Sequence, residues 1–196
     1  MIEIYSKYSG LSIDEIKNNP QLQYLNPGFY SDRNIMIGKY QLMSPHMLGL
    51  VLVSHYRTCI EYAGGVGLLA EVIKESSPLM NVTYANIDCD EFRFAKWRIN
   101  DLKKDVRLLE LSSYHINDTY DVIISDGVVQ NFEKDIQIEM VSNMMEKVNK
   151  NGILCLLIDL SKDNVNIVDI HQILEQSNMV CIYGKNTYSS VWKKII

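Results

Sequence analysis

A cluster of glycines between an apolar run and a helix-forming stretch constrains the fold of this chain most strongly. The segment reads Cys59-Ile60-Glu61-Tyr62-Ala63-Gly64-Gly65-Val66-Gly67-Leu68-Leu69-Ala70. This order predicts a β-strand, a tight turn and the start of a helix. Glycines let a ligand approach the backbone of such a turn, and a helix start offers unpaired N–H groups. The segment therefore predicts an α/β fold with a ligand site at the turn.

The acid near the end of this apolar run indicates the charge of the ligand. Glu61 would lie at the tip of the first strand, beside the glycines. A carboxylate there repels a phosphate and attracts an ammonium group. We therefore expect a ligand with an amino group rather than a dinucleotide.

Length and charge narrow the class of protein. With 196 residues the chain is long enough for one well-buried domain. Its net charge of −5 argues against non-specific nucleic-acid binding, which depends on Lys and Arg neutralising phosphates. No apolar run reaches the ~18–20 residues of a membrane span, and no basic segment leads into an apolar one at the start. We expect a cytoplasmic protein with neither a membrane nor a nucleic-acid partner.

The cysteines carry no metal-site pattern. Cys59, Cys89, Cys155 and Cys181 are far apart and never form a CxxC pair. Three of them fall in apolar runs, where reduced cysteine acts as a small core residue. This favours a reducing compartment and predicts no metal.

Residues 1–56 differ from the rest and are interpreted as a helical cap or lid. Ser12 and Glu15 form a capping-box pattern at the start of a short helix. Its first 50 residues hold five of the twelve tyrosines, whose apolar rings and polar tips suit contact with a substrate. Its candidate substrate-binding residues are Tyr30, Tyr40 and His46. A cap that only packs on the sheet, or that packs across a homodimer, remains an alternative.

From residue 57 onwards, strand and helix patterns alternate, which is typical of a parallel sheet covered on both faces. The tail instead predicts two strands joined by a link too short for a parallel crossover, so they must be antiparallel. The predicted strands are 58–62, 82–88, 106–111, 120–126, 152–160, 179–184 and 188–195, and the predicted helices are 68–75, 91–102 (after Asp90 as N-cap), 134–150 and 165–175.

The glycine segment resembles motif I of the class I S-adenosylmethionine-dependent methyltransferases, an acid followed by spaced glycines. Gly65 and Gly67 match two of the family glycines, and Ala63 stands where the first would be. In this family the α/β sheet also ends in an antiparallel pair of strands. The resemblance covers residues 57–196. It implies a Rossmann-like, mostly parallel seven-stranded sheet with an antiparallel last pair and helices on both faces.

The resemblance also implies where S-adenosylmethionine would bind. An acid at the end of the second strand holds the ribose hydroxyls in this family, and Asp88 matches it, with Asp90 as a rival. Ser112 stands where the family usually has an acid for the adenine amino group. The segment after the fourth strand resembles motif IV, which faces the methyl group. The implied cofactor contacts are Glu61, Ala63, Gly64, Gly65, Gly67, Asp88, Cys89, Ser112, Ser113, Asp126, Gly127 and Val128.

The acceptor side of the site is less marked. Many relatives carry Glu-His where this chain has Gln130-Asn131, so a histidine base is absent there. Asn131 is a candidate substrate contact, and Asp126, His46 and Tyr40 are the candidate catalytic groups. The chain also lacks the Asn/Asp-Pro-Pro-Tyr/Phe signature of the nucleic-acid and protein-glutamine amino-methyltransferases, which argues against both substrate classes.

The function implied is O- or N-methylation of a small molecule or peptide, with S-adenosylhomocysteine as product. Three alternatives stay open: a binding protein without turnover, an aminopropyl or aminocarboxypropyl transferase with a related donor, and a small nucleotide-binding Rossmann protein.

Overall fold

A seven-stranded mixed sheet with helices packed around it forms the fold. The computed structural model describes residues 2–19, 55–158, 167–185 and 189–195. The strand order is β3-β2-β1-β4-β5-β7-β6, and β7 runs antiparallel to both of its neighbours. The elements are α1 (Ile2–Ser9), α2 (Ile13–Asn18), β1 (Thr58–Tyr62), α3 (Leu68–Ser76), β2 (Asn81–Ile87), α4 (Asp90–Asp101), β3 (Arg107–Leu111), β4 (Tyr120–Asp126), α5 (Lys134–Lys147), β5 (Val148–Leu157), α6 (Ile167–Gln176), β6 (Met179–Tyr183) and β7 (Ser189–Lys194).

The central strands β1, β2 and β4 are mostly apolar because both faces of the sheet are buried there. Successive residues of a strand point to opposite faces, so Cys59 and Ile60 enter different clusters. One cluster packs α3 and α4 on the sheet, and the other packs α5 and α6. The predicted fold class, with its antiparallel last pair, is confirmed.

The predicted boundary between α5 and β5 is wrong. The apolar spacing predicted a helix over 134–150 and a strand from 152, but α5 ends at Lys147 and β5 begins at Val148. Val148 is buried and pairs with Tyr120 of β4, and a register shift follows along that pair. Asn151 adopts a left-handed φ of 63° within β5. Tertiary strand pairing therefore overrides the helical spacing at residues 148–150.

A second correction concerns the start of α4. Asp90 was predicted as its N-cap, but Asp90 is the first residue of the helix and Cys89 is the capping position. The side chain of Cys89 forms no capping hydrogen bond with the first turn of the helix. Asp90 instead pairs with Arg93, one turn along, so its carboxylate stabilises the first turn from within.

Helix α1 packs against α4 and α2, and Ile16 of α2 joins the same buried cluster as Phe94 of α4. The capping box of Ser12 and Glu15 is confirmed, whereas α1 was not predicted. The ring of Tyr5 meets Phe94 edge-on with centroids 5.0 Å apart, and both join a buried cluster with Val66 at the glycine turn. The predicted lid residues Tyr30, Tyr40 and His46 lie outside the described residues.

Two predicted absences can be compared only with the described part of the chain. No helix there is both long and apolar enough to cross a bilayer. No three His, Cys, Asp or Glu side chains of those residues are grouped so that they could hold a metal ion. All four cysteines are free thiols, and Cys59 and Cys155 are buried.

Candidate functional site

The glycine turn joins β1 to α3 at the carboxyl edge of the sheet. Ala63, Gly65 and Gly67 all adopt left-handed φ angles, of 54°, 60° and 73°. Glycine does so without strain, whereas alanine pays a steric cost. Gly67 occupies the N-cap position of α3 and has no side chain to cap it. The turn therefore presents backbone, rather than side chains, beside a helix N-terminus.

Buried side chains hold this turn from below. Arg98 of α4 donates a hydrogen bond from Nη2 to the carbonyl of Val66 over 2.6 Å and forms a buried ion pair with Glu71. The hydroxyl of Tyr84 donates to the carbonyl of Gly65, and its ring lies against Gly67. The turn is therefore fixed by two neighbouring elements, β2 and α4.

Glu61 is folded beneath the turn rather than extended from the strand tip. Its side chain is 1% exposed, and Oε2 accepts a hydrogen bond from the backbone N–H of Ala70 over 2.8 Å. This bond caps the first turn of α3 in place of the missing N-cap side chain. Burial raises the pKa of the Glu61 carboxyl from 4.5 to about 8, the Ala70 hydrogen bond opposes the rise, and the negative charge of Asp126 adds to it.

The raised pKa of Glu61 predicts a pH-dependent stability. In the folded state Glu61 keeps its proton up to about pH 8, whereas the unfolded chain releases it near 4.5. The free energy of unfolding should therefore fall as pH rises through this window, with a slope of up to roughly 1.4 kcal/mol per pH unit. Urea unfolding at several pH values should show this slope lost in Glu61→Gln. The slope should persist in Glu110→Gln, and its persistence in Glu61→Gln would contradict the prediction.

At the end of β2, the predicted ribose ligand Asp88 lies at the surface. Its two carboxylate oxygens accept hydrogen bonds from Arg93, over 2.8 Å from Nε and 3.2 Å from Nη2. These hydrogen bonds lower the pKa of Asp88. The neighbouring Cys89 is half-buried. The buried polar side chain at this strand end is Asn86, which sequence reasoning did not single out.

The predicted adenine-side serines follow β3. Ser112 and Ser113 are both exposed, and the hydroxyl of Ser113 accepts a hydrogen bond from the backbone N–H of His115 over 3.3 Å. His115 in turn lies 2.9 Å from Glu139 of α5. The serines are therefore accessible at the strand end, as a ligand contact requires.

The segment after β4 is compact. Gly127 has a left-handed φ of 69°, and its N–H donates to the carbonyl of Leu157. The side chain of Asn131 donates back to the carbonyl of Gly127 over 2.9 Å. Asn131 thus holds the loop while remaining exposed, whereas its neighbour Gln130 is buried. Val128 is also buried, and its carbonyl accepts a hydrogen bond from the backbone N–H of Asn131.

Strand register brings most of these segments to one edge. Tyr62 pairs with Ala85 on one side and with Ser125 on the other, so the turns after β1, β2 and β4 are adjacent. The turn after β3 follows next, because Ile87 pairs with Leu111. Two cavities of about 640 and 720 Å³ lie instead at the opposite edge, around Asn81.

Known proteins resemble this chain in structure but not detectably in sequence. No protein-family model and no curated protein matches the chain. Among solved structures, magnesium protoporphyrin IX methyltransferase from Synechocystis with bound S-adenosylmethionine superimposes with a TM-score of 0.62 at 14% identity, covering 98% of this chain and 95% of that one. The chain has the class I methyltransferase fold. The resemblance drawn from its motifs is therefore confirmed at the level of the fold.

Two further methyltransferase structures share this fold. The N-methyltransferase NodS from Bradyrhizobium japonicum matches with a TM-score of 0.60 at 12% identity, covering 84% of this chain and 99% of that one. A methyltransferase from Pyrococcus furiosus matches with a TM-score of 0.57 at 17% identity, covering 79% and 83%. At these identities the likeness shows the fold alone.

Proposed function

We propose that this protein is an S-adenosylmethionine-dependent methyltransferase that acts on a small-molecule or peptide acceptor. The observation that carries the proposal is the position of the glycine turn. It follows β1, whose neighbours β2 and β4 lie on opposite sides, at the point where the strand order reverses. In open α/β sheets, ligands bind in the crevice at the carboxyl ends of the strands at such a point.

Buried acidic and polar groups at this edge fit a cofactor with an amino group. Burial of Glu61 disfavours its charged form, and a nearby ammonium group would restore that charge. In the described part of the chain, the hydroxyl of Ser125 and Oε1 of Gln130 are buried without a hydrogen-bond partner. Such orphaned atoms are costly unless a ligand or water satisfies them.

The division of roles among the residues follows from these positions. The turn from Ala63 to Gly67 would hold the amino-acid half of the cofactor, and residues 86–89 and Ser112-Ser113 the nucleoside half. The bound cofactor supplies a methyl group already activated by the positive charge on sulfur. Asp126 and Gly127, at the end of β4, would face that methyl group. Their task is to orient the acceptor, because positioning alone lowers the barrier of a displacement substantially.

Calorimetric titration with S-adenosylhomocysteine tests the cofactor site. We expect micromolar binding by the wild type, and a loss of about 1–3 kcal/mol in binding free energy for Asp88→Ala, because a carboxylate hydrogen-bonded to ribose is removed. Asp105→Ala, at the opposite edge of the sheet, is the matched control and should bind as the wild type does. Absence of binding by folded wild-type protein would contradict the proposed function.

Product analysis then distinguishes the transferase classes. With S-adenosylmethionine and an acceptor panel of small amines, phenols and peptides, a methyltransferase releases S-adenosylhomocysteine. An aminocarboxypropyl transferase releases 5′-methylthioadenosine instead. Tight cofactor binding without either product across the panel would favour a binding protein.

A further inference from the structure

A buried chain of hydrogen bonds connects the end of β2 to the glycine turn. The backbone N–H of Ile87 donates to Oδ1 of Asn86 over 2.9 Å. Nδ2 of Asn86 then donates to the hydroxyl of Tyr84 over 3.1 Å, and that hydroxyl donates to the carbonyl of Gly65. Both side chains are buried, Tyr84 at 0% and Asn86 at 7% exposure.

The direction of every bond in this chain is determined. Because Oδ1 of Asn86 accepts from a backbone N–H, its amide nitrogen must face Tyr84. The hydroxyl of Tyr84 therefore receives a proton from Asn86, and its own proton is directed to Gly65. The alternative orientation of the amide would place two donors, or two acceptors, against each other. Such a network has one low-energy arrangement, so it can fix the position of the glycine turn relative to the end of β2.

The two ends of the chain belong to different parts of the candidate site. One end is the left-handed Gly65 in the glycine turn, and the other is the β2 terminus that leads to Asp88. Tyr84 also forms a floor for the turn, because a Cβ placed on Gly67 would lie 3.0 Å from its ring. The spacing between the two segments thus depends on two side chains that need not touch a ligand.

We propose that Tyr84 and Asn86 are positioning residues that set the distance and orientation between the glycine turn and the end of β2. The effect expected on cofactor affinity rests on the proposed function. The effect expected on the mobility of the glycine turn does not. A cofactor that spans both segments would bind most tightly when both are held in register. Removing either link would let the turn move relative to β2.

The test combines Tyr84→Phe, Asn86→Ala and the double variant with two readouts. We expect each single change to weaken S-adenosylhomocysteine binding roughly tenfold, as loss of one or two buried hydrogen bonds allows. The double variant should bind no more weakly than the weaker single variant, since the two side chains act as one chain. Fully additive effects, or unchanged affinity in Tyr84→Phe, would overturn the proposal.

The second readout does not depend on the cofactor. In ligand-free protein, Tyr84→Phe and Asn86→Ala should speed amide hydrogen exchange at Gly65, Val66 and Gly67. Tyr120→Phe removes the hydroxyl of a buried tyrosine at the opposite edge of the sheet and should leave that exchange unchanged. If wild-type protein does not bind the cofactor product, the proposed function fails while faster exchange still supports the positioning role. Unchanged exchange at the turn overturns it.

Discussion

Replacing Phe94 with alanine should cost about 3–5 kcal/mol of folding stability, the range for removing a buried phenylalanine. Phe94 is 0% exposed and lies where α1, α4 and the glycine turn meet. Its ring centroid is 5.0 Å from that of Tyr5 and 5.4 Å from that of Tyr8. Urea unfolding measures the loss.

Phe92→Ala provides a matched control from the same helix. Phe92 is also buried, but it faces the sheet and packs with Tyr84 rather than with α1. Both variants should lose comparable global stability. Only Phe94→Ala should also speed amide exchange throughout Ile2–Ser9 under native conditions, because it removes the surface on which α1 packs. Equal protection of α1 in the two variants would show that α1 is held by other contacts.

The parts of the fold that could be predicted are those set by local pattern. β1 and β4 were predicted at their observed bounds, because each is built around a short run of apolar residues and has turn residues after it. The antiparallel last pair followed from the short link between its strands. In contrast, α1 depends on the contacts of Tyr5 and Tyr8 with Phe94, across more than 80 residues of sequence. No local pattern reports such contacts.

The candidate site divides in the same way. The glycine turn was predictable, because glycine spacing and the following helix formers are local signals. The roles of Tyr84 and Asn86 were not, since they depend on which face of β2 each residue occupies and on which turn lies above that face. Their spacing of two residues places them on one face, which is a usable signal once the strand bounds are known. Gln130 was noted only as a departure from Glu-His, and its burial required the structure.

Glu61 both accepts a hydrogen bond from the start of α3 and restricts which residue can stand in the glycine turn. Its carboxyl group caps α3 through Ala70 and occupies the space beneath Gly64. A Cβ built on Gly64 would lie closer than 3.0 Å to three atoms of the Glu61 side chain. Gly64 is not among the glycines with positive φ, so an alanine there would be strained by this contact rather than by its own backbone. The need for glycine at position 64 is therefore created by Glu61.

Gly64→Ala should consequently destabilise the protein by about 1–3 kcal/mol, the usual cost of overpacking, and abolish measurable S-adenosylhomocysteine binding by displacing the turn. The same change in a Glu61→Ala background should cost much less stability, because the overlapping atoms are gone. A double-mutant cycle measured by urea unfolding would then give a coupling energy of about 1 kcal/mol or more. Additive stability losses would mean that the backbone of the turn, and not the Glu61 side chain, makes alanine unfavourable at position 64. Gly10→Ala serves as the reference, since among the described residues no atom beyond its chain neighbours lies within 4 Å of its added Cβ, and the cost expected there comes from its positive φ.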